Sequence, residues 1–292
     1  MFHFIYNPIA GKGKALRCRQ ALEPMLAASG AEYRFHETRR PREGADIARE
    51  LTRGAGPEGS DIVAMGGDGT LNEVLNGLSD PANTRLGIIP CGSGNDFAAV
   101  MGIPGAPKDA LRLILGGEAK YTDYMECGGV RGINAIGTGI DVDILRRYNR
   151  MKLLKGSAAY LASLVICLFS FKPKRFRELT DDGERAHSAF IACAGNGRHI
   201  GGGIPICPEA VADDGLLDIV IVDDISPLRI PGAFVKLMKR RVLELPTTAF
   251  RRADRLRVVS DGPMPIQIDG EIYEDLPFDV KIITKALRVY RP

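Results

Sequence analysis

Asp61-Ile62-Val63-Ala64-Met65-Gly66-Gly67-Asp68-Gly69-Thr70-Leu71-Asn72-Glu73-Val74-Leu75-Asn76-Gly77-Leu78 decides the reading of this chain. Residues 61–65 are mostly branched and apolar and predict a buried strand; Leu71, Val74, Leu75 and Leu78 then recur at helical spacing. Between them lies a glycine turn. A strand that enters a helix through such a turn leaves backbone N–H groups unpaired at the positive end of the helix dipole, where a phosphate is favoured. Gly66, Gly67 and Gly69 let the backbone approach that anion without a Cβ in the way. Asp68 is the odd member, because a carboxylate beside a phosphate is repelled unless Mg²⁺ or a transferable proton lies between them. Taken alone, the stretch also suits an ordinary connection whose Gly and Asp serve turn geometry.

Working outward, the strand predicted over 85–89 ends in Pro90-Cys91-Gly92-Ser93-Gly94-Asn95-Asp96-Phe97, and that over 2–6 ends in Asn7-Pro8-Ile9-Ala10-Gly11-Lys12-Gly13-Lys14. Further strands are expected over 32–36 and 121–126, with helices over 15–28, 44–53, 71–78 and 108–115. Alternation of this kind predicts parallel strands joined by crossover helices, with the glycine loops gathered at the edge where open α/β sheets bind ligands. Lys12 and Lys14 would offset phosphate charge there. Neither a P-loop nor G-x-G-x-x-G fits: the run from 67 ends in Asn72 and that from 92 in Phe97.

After about residue 127 the pattern shifts to strand-like runs separated by turn signals, which suits antiparallel pairing, so two domains are expected, 1–127 and 128–292. The last residues are free to return to the first. Runs 176–179 and 186–194 flank Asp181-Asp182-Gly183 as a hairpin, and 216–222, 256–260, 265–268 and 278–283 supply more strands. Helices are expected over 154–170 and 228–239. Asp269-Gly270-Glu271 follows one strand and precedes a return, which puts its carboxylates on a tight turn. Such a turn serves a cleft or merely a solvated hairpin tip.

Composition narrows the class. Of 292 residues 45% are hydrophobic and 26% charged, with 39 Lys plus Arg against 36 Asp plus Glu, so bulk charge selects neither nucleic acid nor membrane. Six scattered cysteines without a C-x-x-C pair point to a reducing cytoplasm and away from zinc. The N-terminus reads as a first strand and not as a signal peptide. The apolar run 156–171 is short of the roughly 20 residues that span a bilayer. Arg146, Arg147, Arg150, Lys152 and Lys155 precede it, and Lys172, Lys174, Arg175 and Arg177 follow, a layout that suits either an anionic surface or the solvated ends of a helix. Lys236, Lys239, Arg240 and Arg241 admit the same two readings. His3, His36, His187 and His199 are isolated, and no nucleophile–histidine arrangement is visible.

Five motifs in order resemble the diacylglycerol kinase catalytic-domain family, which includes bacterial soluble lipid kinases and the sphingosine kinases. They are Asn7-Pro8 with Gly11; Gly66-Gly67-Asp68-Gly69-Thr70 with Asn72-Glu73; Pro90-x-Gly92-Ser93-x-Asn95-Asp96-Phe97; Asp214-Gly215-x-Leu217-Asp218; and Asp269-Gly270-Glu271. The resemblance covers essentially the whole chain. It implies a Rossmann-like α/β first domain with a parallel sheet, as in NAD kinase and diacylglycerol kinase, and a mainly antiparallel β-sandwich second domain. The implied activity is transfer of the γ-phosphoryl group of Mg·ATP to a lipid hydroxyl, of diacylglycerol or a related lipid. NAD kinase, another small-molecule kinase with the same glycine loop, or a non-catalytic nucleotide-binding protein are the alternatives.

By resemblance, Asn7, Pro8, Ile9, Ala10, Gly11, Thr38, Gly66, Gly67, Asp68, Gly69, Thr70, Asn72, Glu73 and Ser93 are the ATP-contacting positions, with Ser93 where many members carry Thr. Asp68 would link Mg²⁺ to the reacting hydroxyl. Glu271, with Asp269, matches the proton acceptor of bacterial members, and which of Asp68, Asp269 and Glu271 takes the proton stays open. Asp214 would bind a second, structural Mg²⁺ with the carbonyls of Val211 and Leu216, and Asp123 would connect that ion to the active site through waters. A lipid substrate implies transient peripheral contact with the cytoplasmic membrane face and no nucleic-acid partner. A homodimer stays open.

Overall fold

The computed structural model describes residues 1–56, 58–150 and 157–292, and the chain divides into two units: Met1–Tyr124 with Thr284–Pro292, and Met125–Ile283. The first unit begins β1 (Phe2–Tyr6), α1 (Ala10–Ser29), β2 (Tyr33–Glu37), α2 (Glu43–Thr52), β3 (Ser60–Gly66) and α3 (Asp68–Gly77). It continues β4 (Thr84–Pro90), α4 (Asp96–Val100), α5 (Pro107–Gly116) and β5 (Ala119–Cys127), whose end passes into the second unit. Strands β2, β1, β3 and β4 lie side by side and all parallel, and the far end of the chain adds one more parallel strand beside β4 through Arg288 and Val289. Continuous apolar runs such as Ile62–Met65 suit strands covered on both faces.

The second unit contains β6 (Val130–Gly132), β7 (Ala135–Gly139), α6 (Ile140–Arg150), α7 (Ser157–Ser170), β8 (Lys174–Thr180) and β9 (Gly183–Gly195). These are followed by β10 (Leu217–Asp223), α8 (Ile230–Met238), β11 (Thr248–Ala253), β12 (Arg255–Val259), β13 (Ile266–Ile268), β14 (Glu271–Tyr273) and β15 (Asp279–Tyr290). The long β9 pairs antiparallel with β7, β8 and β10, β11 pairs antiparallel with β10, and β13 with β7 and β14. Alternation along β9 and β10 divides the interior. Ala192, Ala194, Ile219 and Ile221 enter a core between strands, whereas Ile191, Cys193, Val220 and Val222 enter a second core with Ile140, Ile144, Leu164, Cys167 and Ile230 from the helices.

Strand β15 serves both units: Lys281, Val280 and Asp279 pair with β12, and Arg288 and Val289 with β4. Its end is anchored in the first unit by Asp61, which accepts bonds from Arg85 Nε at 2.6 Å and Tyr290 Oη at 2.6 Å. Burial pushes the Asp61 carboxyl up, but those two donors more than reverse it and leave the carboxyl below its usual range.

Several elements differ from expectation. β5 ends at Cys127, the residue after which the boundary was expected, while the two compact units divide within it, after Tyr124. Thr284–Pro292 join the first unit, the return that was allowed for. β6, β7, α4, α6 and β11 arise where no element was expected, and β15 extends well past 283. The start of the helix expected over 154–170 lies outside the described residues, as do Lys152 and Lys155. Among the described residues no helix is long and apolar enough to cross a membrane.

Candidate active site

Three loops of the first unit pack backbone against backbone. Cys91 N and Gly92 N both donate to Gly66 O, at 2.7 and 3.2 Å. A Cβ on Gly92 would fall 2.5 Å from Gly67 Cα, and one on Gly11 would fall 2.2 Å from Cys91 O at a φ of +58°. Glycine is therefore required at 92 by space and at 11 by both space and conformation. The loops enclose an open cleft of about 370 Å³, lined among others by Asn7, Ala10, Gly11, Gly67, Asp68, Gly69, Thr70, Glu73 and Ser93. Pro8, Ile9, Thr38, Gly66 and Asn72 lie outside that lining: Ile9 is exposed, while Thr38 is buried with its amide on Tyr6 O at 2.9 Å.

Asp68 occupies the first turn of α3 and is partly buried. Its Oδ2 accepts the amide of Asn95 at 2.8 Å. Asn95 sits at a φ of +59°, with its side chain clamped on Gly92 through Oδ1 at 3.0 Å and Nδ2 at 3.1 Å. Burial raises the Asp68 pKa, and the amides of Asn95, Phe97 and Asp96 oppose that rise without cancelling it. A carboxylate with incomplete compensation beside a cleft lined largely by glycines has the character required of a cation ligand or a proton carrier. Glu73 is engaged differently. Its carboxylate accepts Arg42 N at 3.0 Å and Gly44 N at 3.1 Å, so it caps α2 while forming part of the cleft wall.

In the second unit Asp269 and Gly270 form the two-residue turn between β13 and β14, at φ of +48° and +92°. The Asp269 carboxylate accepts three amides, from Ile133 at 2.7 Å, Asn134 at 2.9 Å and Ala135 at 3.0 Å, so it ties the turn to β7. Glu271 begins β14 and is exposed. Asp214 is exposed on the Asp213-Asp214-Gly215 turn, where its Oδ1 accepts Leu216 N at 3.0 Å. Among the described residues no group of three or more His, Cys, Asp and Glu gathers as a metal site. Asp214 with carbonyls of Val211 and Leu216 is a sparse set of hard oxygen donors, a fit for Mg²⁺ that keeps most of its waters. Asp123 is fully buried in the first unit and accepts the amide of Lys285, a residue at positive φ, at 2.7 Å.

A second cavity, of about 70 Å³, lies within the second unit beneath α6, α7 and α8. Ile144, Leu164, Phe190, Ile204, Phe234 and Leu237 are among its walls, with Asp141 the single carboxylate among them. The sequence reading missed this residue, which only its burial sets apart from an ordinary acidic helix start.

Comparison with known proteins supplies the class. Residues 1–127 match the family described as "Diacylglycerol kinase catalytic domain", and 134–291 match the "YegS C-terminal NAD kinase beta sandwich-like domain". A diacylglycerol kinase of Mycobacterium tuberculosis is 31% identical over 98% of this chain and 93% of its own length. The chain belongs to the diacylglycerol kinase family. A protein of Xanthomonas euvesicatoria named "Probable lipid kinase YegS-like" is 35% identical over 79% of this chain and 78% of its own. The crystal structure of a diacylglycerol kinase from Bacillus anthracis matches the fold with a TM-score of 0.76 at 22% identity, covering all of this chain and 96% of that one. This member of the diacylglycerol kinase family is thus a kinase that transfers phosphate to an alcohol, with an α/β first unit and a β-sandwich-like second unit.

Proposed function

We propose that the chain transfers the γ-phosphoryl group of Mg·ATP to the hydroxyl of diacylglycerol or a related lipid. The observation that carries this reading is the cleft of the first unit, where three glycine-rich loops surround the carboxylate of Asp68, with Glu73 in the wall. Polyphosphate would lie against the N–H groups of those loops, with Lys12 and Lys14 offsetting its charge. Asp68 would hold the Mg²⁺ that accompanies the nucleotide, an ion that neutralises charge on the phosphate oxygens. Asp214 with the carbonyls of Val211 and Leu216 would hold the structural ion.

Asp269 is committed to three amides, which suits a positioning role and assigns the proton to Glu271, exposed at the start of β14 just after that turn. The lipid hydroxyl gives its proton to Glu271 as its oxygen bonds to the γ-phosphorus and the bond to ADP breaks.

The apolar cavity of the second unit supports an acyl-chain site. At about 70 Å³ it admits only part of a chain, so α7 and α8 side chains must move to fill it. On the outer faces of those helices Val165, Ile166, Val235 and Met238 are 40–51% exposed, with Lys236 and Lys239 nearby in sequence. Such a surface suits peripheral contact with an anionic cytoplasmic leaflet. A dinucleotide substrate would leave both the cavity and these residues without a use.

Incubation with Mg·ATP labelled at the γ-position and a mixed lipid extract, followed by chromatography, tests the proposal. One labelled phospholipid is expected. Labelling of NAD⁺ instead, or of no lipid, would overturn it.

A further inference from the structure

Asp141, the second residue of α6, is only 2% exposed and forms part of the wall of the apolar cavity. Its Oδ1 accepts the amide of Val142 at 2.9 Å, whereas Oδ2 meets no hydrogen-bond partner among the described residues. Gln267, which pairs across from Gly137, is in the same condition. Its Oε1 accepts Gly270 N at 2.9 Å, and among the described residues its buried Nε2 meets no partner in good bonding geometry, although it lies close enough to Asp141 to favour the charged carboxylate. The two orphaned atoms border one spot: a Cβ on Gly137 would lie 2.7 Å from Asp141 Oδ2 and 3.4 Å from Gln267 Nε2.

Burial pushes the Asp141 carboxyl up to about 7, with the Val142 amide and Gln267 pulling the other way, so the neutral acid is well populated at neutral pH. A neutral carboxyl is a donor, as is the Gln267 amide nitrogen. Buried polar groups without partners are costly and call for an explanation, and a ligand that pairs with them is one. An alkyl chain alone offers nothing to two donors. The ester group at the head of an acyl chain offers a carbonyl oxygen, whereas a cationic amine would require Asp141 to ionise.

We propose that Asp141, with Gln267 beside it, binds the ester carbonyl of an acylglycerol and so fixes how far the acyl chain enters the second unit. This rests on the lipid-kinase reading above and adds to it a residue that discriminates between lipids. Gln267 also bonds Gly270, between Asp269 and Glu271, so the group that reads the ester is one residue away from the turn that carries the base.

Initial rates with 1,2-dioleoylglycerol and with its 1,2-dialkyl ether analogue, in mixed micelles, test this for the wild type, Asp141→Asn and Asp141→Leu. The wild type is expected to favour the ester about tenfold in kcat/KM. Asp141→Leu should lower the ester to the level of the ether with KM for ATP unchanged, and Asp141→Asn, which keeps a donor, should retain part of the preference. Equal wild-type rates on the two lipids, or an undiminished preference in Asp141→Leu, would overturn the inference and leave the kinase reading standing. Phosphorylation of neither lipid would overturn both. The wild-type comparison does not depend on any variant folding. Isotope-edited infrared spectra of bound ¹³C=O ester add a second readout: a shift to lower frequency relative to micelles is expected, and no shift would count against the proposal.

Discussion

The amide of Asn95 stands 2.8 Å from Oδ2 of Asp68, so the conformation of one loop residue sets the direction of the carboxylate that faces the cleft. Asp68→Asn preserves an oxygen for that amide and removes the charge. Turnover should fall by about a hundredfold or more while the melting temperature stays within a few degrees of wild type. Asn95→Gly keeps the positive φ and deletes both bonds to Gly92, and should lower kcat about tenfold in a steady-state assay.

Gly11→Ala would place a Cβ 2.2 Å from Cys91 O in a left-handed backbone. Either the first loop moves or the strand-end loops separate. Nucleotide affinity by calorimetry should drop at least tenfold, and urea unfolding should show a loss of about 2 kcal/mol.

Asp269 and Glu271 should separate stability from activity. Asp269→Ala leaves three amides without their acceptor and should cost about 2–4 kcal/mol in urea unfolding. Glu271→Gln alters an exposed side chain and should stay within about 0.5 kcal/mol of wild type while abolishing turnover.

His187 lies between Glu178, with Nε2–Oε2 at 3.5 Å, and Asp223, with Nδ1–Oδ1 at 3.1 Å. Interaction with Glu178 raises the His187 pKa above 6.5, burial opposes, and Asp223 adds to the rise. Its stabilising contribution is therefore complete below 6.5 and lost as pH rises through the raised folded value. Burial pushes Glu178 up, but His187 and Arg251 outweigh it and hold the pKa below 4.5, so its contribution is present above 4.5 and lost as pH falls through the lowered value. The urea midpoint difference between wild type and His187→Gln should be largest between about 4.5 and 6.5.

Much of the first unit was legible in the sequence because its signals are local. The branched residues of β3, the glycines after it and the helical spacing of Leu71, Val74 and Leu75 need no distant partner to be read. Asp269-Gly270 likewise carries its own turn chemistry. Less could be seen where a residue's role is set by tertiary neighbours. β11, where no strand was expected, holds Arg251 and Arg252, whose partners Glu178 and Asp218 are buried against them at 2.7 and 2.8 Å. The motif containing Glu73 did not foretell that its carboxylate caps α2, 29 residues away in sequence at Gly44. Asp141 was invisible for the same reason, since only burial turns an ordinary acidic helix start into an uncompensated acid.

The strand that completes the first unit beside β4, and the Tyr290 hydroxyl that reaches Asp61, lie beyond the whole of the second unit in the chain. A ribosome therefore delivers most of the first unit early yet withholds its closing strand until about 160 residues later have been translated. During that interval the β4 edge stays unpaired on that side, a template for wrong partners. Completion of the first unit is thereby timed by synthesis of the second, and residues 1–124 expressed alone should be aggregation-prone.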